Sequence, residues 1–413
     1  MDTAITFFPV DNGDMALITL GDKGRTTILI DCNIRVIDDN SKGKIRDVAK
    51  DLRERLNRDA DGRPYVDAFV SSHPDQDHCR GIREHFYLAD PAEYPGDKKA
   101  DAEKRILIRE LWSSPMVFRR ASKNHPLSDD AKALNAEAKR RVSVNRDSEF
   151  VGVNEGDRIL ILGEDEEGKT DDLGPILIKT DEKFAKINCS ESKVFTASLL
   201  APIPENSDDE DEGEIFSKNH SSVILNIELA EDESRRIVTN CLTGGDAGVA
   251  IWERLWQRHK KSLSELSYDL LLTPHHCSWH SLSYDSWSEK HKDGKVSKDA
   301  RSSLSQSRSN GLIVASSAPI LDDDNDPPCY GAKLEYEKIV KTVRGKFLCT
   351  GEYPTVSAPA PLELRLTGGR LVEVLRESPR RAPAVLTSGI ISEIGARAAE
   401  REPVRKEGNR RYA

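Results

Sequence analysis

The stretch that most constrains this chain is a β-branched run that ends directly on a loop of metal-binding side chains. Val66 to Ser71 reads as a short buried strand, and the loop His73-Pro74-Asp75-Gln76-Asp77-His78 follows it at once. Imidazole and carboxylate are the donors that divalent cations take, and His73, Asp75, Asp77 and His78 offer four of them within six residues. Residues 73 and 75 can point one way and 77 and 78 another, which suits two neighbouring ions better than one cage. A polar loop of this kind could also be a solvated connection. Further donors at other strand ends argue against that.

Asp246 follows the apolar run Ile237 to Thr243 through Gly244-Gly245. Its carboxylate is placed to bridge two ions about 3.5–4 Å apart, the alternative being an N-cap on a helix over Ala247 to Trp256. His275 and His276 end the run Leu270 to Thr273, where a neutral imidazole can complete an ion's shell. His220 precedes the run Val223 to Leu229 and is either a further ligand or a plain surface residue. Asp31 closes a strand over Thr26 to Ile30 and reads as support for a ligand rather than as a ligand.

The rest of the chain alternates strands and helices. Ala4 to Phe8, Met15 to Leu20 and Thr26 to Ile30 open a β-meander, with turns at Asp11-Asn12-Gly13 and Gly21-Asp22-Lys23-Gly24. A helix is expected over Asp47 to Asn57. Further strands are expected at Ile159 to Leu162, Val194 to Leu199, Val223 to Leu229, Arg236 to Thr243, Leu270 to Thr273 and Gly311 to Ser316, and a closing hairpin at Leu362 to Leu375. Strands and helices in two halves suit an α/β four-layer αββα sandwich over residues 1–375. Three segments read as additions to it: a basic helical insertion at 94–148, an acidic low-complexity loop at 205–214, and a polar insertion at 284–310. An Arg-rich tail covers 376–413.

Composition narrows the setting. The net charge of −10 counts against a polyanionic partner in general. The charge is uneven, however: Asp97 to Asp147 carries 13 Lys and Arg against 8 Asp and Glu, while Glu155 to Glu214 carries 6 against 18. No stretch approaches the roughly 20 apolar residues of a bilayer span, and the first ten residues lack a signal-peptide pattern, so no membrane partner and a cytoplasmic location are expected. The 7 cysteines fall in no Cys-x-x-Cys pair and are expected to be reduced thiols.

In these motifs the chain resembles the metallo-β-lactamase superfamily, and within it the ComEC-like competence group. The family's His-x-His-x-Asp-His appears as His73-x-Asp75-x-Asp77-His78, with the Asp in second place that the ComEC-like branch shows. Val10-Asp11-Asn12-Gly13-Asp14 resembles that branch's GxGD turn, alongside Leu29-Ile30-Asp31 and Leu242-Thr243-Gly244-Gly245-Asp246. Thr273-Pro274-His275-His276-Cys277-Ser278 resembles its PHHGS segment with Cys277 in place of Gly. Tyr330-Gly331-Ala332 resembles its YGH element without the His.

The resemblance implies a metal-dependent hydrolase, specifically a phosphodiesterase or nuclease using a metal-bridged water at a dinuclear site with two divalent ions, zinc or manganese. His73, Asp75 and His220 would hold one ion, Asp77, His78 and His275 the other, with Asp246 between them. Asp77, Asp75 and His276 would do the proton transfers; His276, then a spare imidazole, could donate a proton or hold a phosphate oxygen, and could equally replace His275 as ligand. Nucleic acid is the expected substrate, with Lys98, Lys99, Arg119, Arg120, Arg140 and Arg141 tracking its backbone and Trp279 stacking on a base or lining the core. One alternative is a small-molecule hydrolase acting on a cyclic nucleotide, lactone or phosphoester. Another is an effector gated by a protein partner in a multi-component antiviral system.

Overall fold

Two β-sheets lie face to face, because each presents one continuous apolar surface that has to be buried against another element. The structure is a computed structural model. It describes residues 2–37, 45–95, 100, 103–118, 127–165, 168–203, 221–234 and 237–374. The tail 376–413, the acidic loop 205–214 and His220 lie outside the described residues.

The first sheet grows from the opening meander. Ala4–Phe7, Ala16–Thr19 and Thr27–Ile30 pair antiparallel. The turn after the first strand holds Asp11 and Gly13 at φ 73° and 146°, backbone that favours residues tolerant of left-handed geometry. The helix Val48–Arg53, capped by the Asp47 carboxylate on Lys50 N at 2.9 Å, returns the chain for a parallel strand. That strand, Pro64–Ser71, pairs with Thr27–Ile30 on one side and Ile106–Ser113 on the other. Arg158–Leu162 extends the sheet in parallel, and the hairpin Leu362–Thr367 and Arg370–Glu373 closes it antiparallel to Ala4–Phe7.

The second sheet repeats the plan. Phe195–Ala201, Ile224–Ala230 and Val238–Leu242 are antiparallel. Tyr268–Leu272, Ser307–Ala315 and Lys346–Cys349 then add in parallel. Parallel neighbours need long crossovers, and the helices Val249–His259, Lys298–Leu304 and Tyr330–Thr342 provide them.

Three apolar clusters mark the interfaces between four layers. Ile5, Phe7, Ile18 and Val70 of the first sheet meet Leu225, Ile227, Leu270 and Val314 of the second. Leu17, Leu29, Phe69 and Leu111 face outward onto Leu52, Leu134 and Val142 of the helices. Leu242, Leu271 and Ile313 face Trp252, Leu304 and Tyr336. The alternation along each strand assigns successive residues to opposite faces, so neighbours such as Phe69 and Val70 serve different interfaces. Each fully buried side chain of this kind contributes roughly 1.5–3 kcal/mol. The αββα sandwich expected from the sequence is the architecture observed.

Two expected insertions are part of the sandwich instead. Segment 94–148 contains the strand Ile106–Ser113, an interior strand of the first sheet, as well as the helix Asp129–Asp147 packed on that sheet. The Lys and Arg flanking the strand hid its alternation. Segment 284–310 holds the helix Lys298–Leu304 and the start of Ser307–Ala315, so it supplies a crossover of the second sheet. Among the described residues no helix is long and apolar enough to cross a membrane.

Candidate metal centre

The parallel strands of both sheets end at one edge, and chemistry-bearing side chains gather in the crevice there, as they do beyond the carboxyl ends of strands in open α/β sheets. Pro64–Ser71 delivers the loop 73–78, Thr27–Ile30 delivers Asp31, Val238–Leu242 delivers Asp246, and Tyr268–Leu272 delivers His275 and His276. A hydrogen bond from Val223 N to Ser72 O at 3.0 Å is among those that join the two halves beside the site. Asp246 is not the cap of the helix that follows it: that helix starts at Val249 with Gly248 in the cap position. The Asp246 amide donates to Ser222 Oγ at 3.0 Å, which leaves its buried carboxylate facing the crevice.

The two oxygens of Asp246 serve different partners. Oδ1 lies 3.0 Å from His78 Nε2 and 3.5 Å from His276 Nε2, and His276 Nε2 lies 3.3 Å from Asp77 Oδ2. Ligand atoms of Asp77, His78, Asp246 and His276 all fall within 4.8 Å of one another. Oδ2 lies 3.3 Å from His73 Nε2 and 3.7 Å from His275 Nε2, and His73 Nε2 is 3.9 Å from Asp75 Oδ2. The loop therefore splits as its spacing suggested, 73 and 75 on one side of Asp246 and 77 and 78 on the other.

Of the two placements left open for the paired histidines, the structure sets His276 rather than His275 beside Asp77 and His78. His276, expected as a spare imidazole and proton donor, joins Asp77 and His78 and is fully buried, so it has no route to a substrate. His275, expected in that ligand set, turns to the His73 side and keeps 24 % of its side chain exposed. The cause is the backbone of the turn: His275, His276 and Cys277 have φ of 48°, 53° and 70°. Three consecutive residues in the left-handed region cost on the order of 1 kcal/mol each or more and persist because the surroundings hold them. His275 N donates to Gly245 O at 2.8 Å and Cys329 N to Cys277 O at 3.0 Å.

Behind these side chains stands a layer that the sequence revealed only in part. Asp31 Oδ2 accepts from His78 Nδ1 at 2.8 Å, fixing the tautomer that leaves Nε2 for the crevice. Ser72 Oγ donates to the same Asp31 oxygen at 2.5 Å and lies 3.0 Å from His73 Nδ1, whose N–H it can accept. One carboxylate thus orients both histidines of the loop, directly and through a hydroxyl. Ser72 was not singled out in the sequence, where a serine beside a histidine carries no distinguishing signal. Asp14, part of the GxGD-like turn but given no role there, is buried 3.5 Å from His276 Nδ1.

The residues fit a cation. His73 Nε2 and Asp246 Oδ1 are buried and make no hydrogen bond among the described residues, although a buried polar atom left unpaired costs about 1–3 kcal/mol. Lone pairs that converge on a shared point rather than on each other are what a bound cation satisfies. The electrostatics agree. Burial opposes a charged His78, yet Asp246 and Asp31 outweigh it and hold the imidazole well above its ordinary range. Burial likewise opposes charge on His276, and Asp246, Asp14 and Asp77 push it up to about 10. Asp246 moves the other way: burial alone would raise it, and His78, His276 and His73 bring it well below the usual carboxylate range. Both shifts reflect the carboxylates gathered around the two imidazoles, a field that also favours a cation. His275 moves the other way from its neighbours, lowered chiefly by burial.

The basic residues of 94–148 fare differently. Arg140 is held by Glu137 and Asp157 at 2.8 and 2.7 Å, and Arg141 is buried on Glu137 and the carbonyls of Arg158 and Ile108. Neither is free for a phosphate backbone. Lys98, Lys99, Arg119 and Arg120 lie outside the described residues. Trp279 is buried against Trp287, with ring centroids 5.3 Å apart, so it lines the core rather than offering a face to a base.

No protein-family model and no curated protein matches the sequence. Among solved structures, the zinc-bound PqqB of Methylobacterium extorquens matches with 13 % identity over 85 % of this chain and 87 % of that one, at a TM-score of 0.36.

Proposed function

We propose that this protein is a metal-dependent hydrolase with two cation sites that share Asp246, and that its substrate is a phosphodiester. The observation that carries the reading is the division of Asp246, Oδ1 toward Asp77, His78 and His276 and Oδ2 toward His73 and His275. Asp77, His78, His276 and Asp246 would hold one divalent ion, and His73, Asp75 and Asp246 the other, with His220 as a further candidate ligand on the second side. Such ions, zinc or manganese, supply Lewis acidity that polarises a phosphoryl oxygen and acidifies water. Carboxylates at 75, 77 and 246 make the donor set harder than an all-imidazole one, which favours phosphoryl over carbonyl chemistry and admits manganese.

The chain's own groups divide the remaining tasks. Asp75 and Asp77 keep 21 % and 33 % of their side chains exposed, so they face the crevice mouth and can take a proton from an attacking water. His275, partly exposed, can hold a phosphoryl oxygen or pass a proton at Nε2. Asp31, through His78 and Ser72, keeps both loop imidazoles in the tautomer that turns Nε2 inward.

The Asp in second place of the loop and the paired histidines support a ComEC-like reading and with it a nuclease. The commitment of Arg140 and Arg141 to internal partners favours the second reading, a small phosphodiester, because it removes two of the cations that would track a polymer. Incubation with single-stranded DNA, duplex DNA, RNA and bis(p-nitrophenyl) phosphate, each with and without EDTA, separates them. Cleavage of the small diester alone supports the second reading. Activity undiminished by EDTA defeats both.

A further inference from the structure

We infer that Asp14 is a positioning residue for the buried half of the centre, acting through His276; the inference rests on the reading of that half as a cation site. Asp14 Oδ1 and His276 Nδ1 face each other at 3.5 Å, both buried, and neither makes a hydrogen bond among the described residues. One is an obligate acceptor and the other a nitrogen that donates whenever it carries a proton. Buried atoms of this kind are each other's remedy, and a contraction of about 0.6–0.8 Å makes the bond, given the usual 2.7–2.9 Å of a charge-assisted pair. Across the same ring His276 Nε2 points at Asp77 and Asp246. Proton on Nδ1 and lone pair on Nε2 is the tautomer that a carboxylate behind the ring enforces, the arrangement Asp31 gives His78.

What distinguishes Asp14 is the scaffold that carries it. Its turn is fastened to both halves of the molecule. Asn12 donates through Nδ2 to Pro327 O at 3.1 Å and accepts at Oδ1 from Ala318 N at 3.0 Å. Ser316 Oγ donates to Gly13 O at 2.7 Å, and Asn33 Nδ2 donates to Asn12 O at 2.9 Å. Asp14 N donates to Asp77 O at 3.3 Å. Asp14 therefore contacts one ligand residue of the first sheet by its backbone and one of the second sheet by its side chain. Glycine at 13 is required by that proximity, since a Cβ there would fall 2.6 Å from Asp77 O. The turn sets the spacing between Asp77 and His276, which belong to different sheets and share one cation site.

The test is cation binding, read independently of turnover. Asp14→Asn is nearly isosteric and keeps an acceptor while removing the charge. Manganese and zinc affinities, measured by competition with a chelating dye, should fall about 10- to 100-fold. The visible spectrum of the cobalt(II)-substituted protein should shift, while far-ultraviolet circular dichroism stays that of the parent. A second measurement needs no variant: in zinc-loaded protein, nitrogen-15 NMR should show His276 protonated at Nδ1, with that proton slow to exchange. Unchanged affinities and cobalt spectrum in Asp14→Asn, or His276 bearing its proton on Nε2, overturn the inference. If the parent protein takes up no cation at all, it is the reading of the site that falls.

Discussion

His78 and His276 bring their Nε2 atoms to 3.2 Å across 198 positions of sequence, from loops that belong to different sheets. Two imidazole lone pairs at that separation repel unless positive charge lies between or beside them. Asp77 and Asp246 complete the ring of donors around them, and this arrangement underlies the first two predictions.

Removal of divalent cations should unfold nothing and stop the proposed hydrolysis. EDTA treatment is expected to abolish diester hydrolysis and manganese or zinc to restore it, while the melting temperature drops by a few degrees. A cation present at 100 times its dissociation constant adds about 2.7 kcal/mol to the folded state. Calorimetry with and without chelator measures the shift, and an unmoved melting temperature would count against a bound ion.

His275 and His276 should fail in different ways. His276→Ala removes a buried donor, so metal content by mass spectrometry should fall toward one ion per chain or fewer. His275→Ala touches a partly exposed ring, and its larger loss should be in kcat, on the order of 10²–10⁴-fold if the ring transfers a proton, with the Asp77 side still loaded. Equal metal loss in both variants would contradict the division.

Gly244→Ala should reach the site through the backbone. A Cβ at 244 would lie 2.6 Å from Pro274 N and Cα, so the turn carrying His275 and His276 must move. A displacement of about 1 Å at reacting groups costs on the order of 10²-fold, and kcat/KM is expected to drop by that much. Retention of full activity would show that the turn has slack.

Glu110 offers a stability test remote from the centre. Burial raises its pKa, although its carboxylate accepts from Trp112 Nε1 and Asn188 N, both at 2.8 Å. For an acid raised on folding, the folded state binds more protons, so stability is full below the unfolded pKa and declines as pH climbs through the folded one. Glu110→Gln keeps an acceptor without the charge. Its melting temperature should equal or exceed the parent's at pH 8, and the difference should shrink near pH 4; a marked loss at pH 8 would refute this account.

Much of this arrangement was legible in the chain. Hydrophobic runs such as Val66 to Ser71 and Ile237 to Thr243 announce strands, and a donor placed just past each run is already placed at a sheet edge. The strand Ile106–Ser113 was not legible, because charged residues at 109 and 110 and on both flanks masked its alternation. Arg140 and Arg141 read as surface cations for the same reason, since composition does not reveal that Glu137 one helical turn away claims both.

By itself, then, the sequence determined the donor types, the loop that splits them between two sides and the sandwich that could hold them, because these follow from local periodicity and from chemistry within a few residues. Only the tertiary structure decided which histidine of the pair meets Asp77, that Ser72 carries Asp31's influence to His73, and that Asp14 reaches His276. Those contacts join residues far apart in the chain, and the packing of two sheets and a left-handed turn at 275–277 set them. Neither leaves a mark on neighbouring residues.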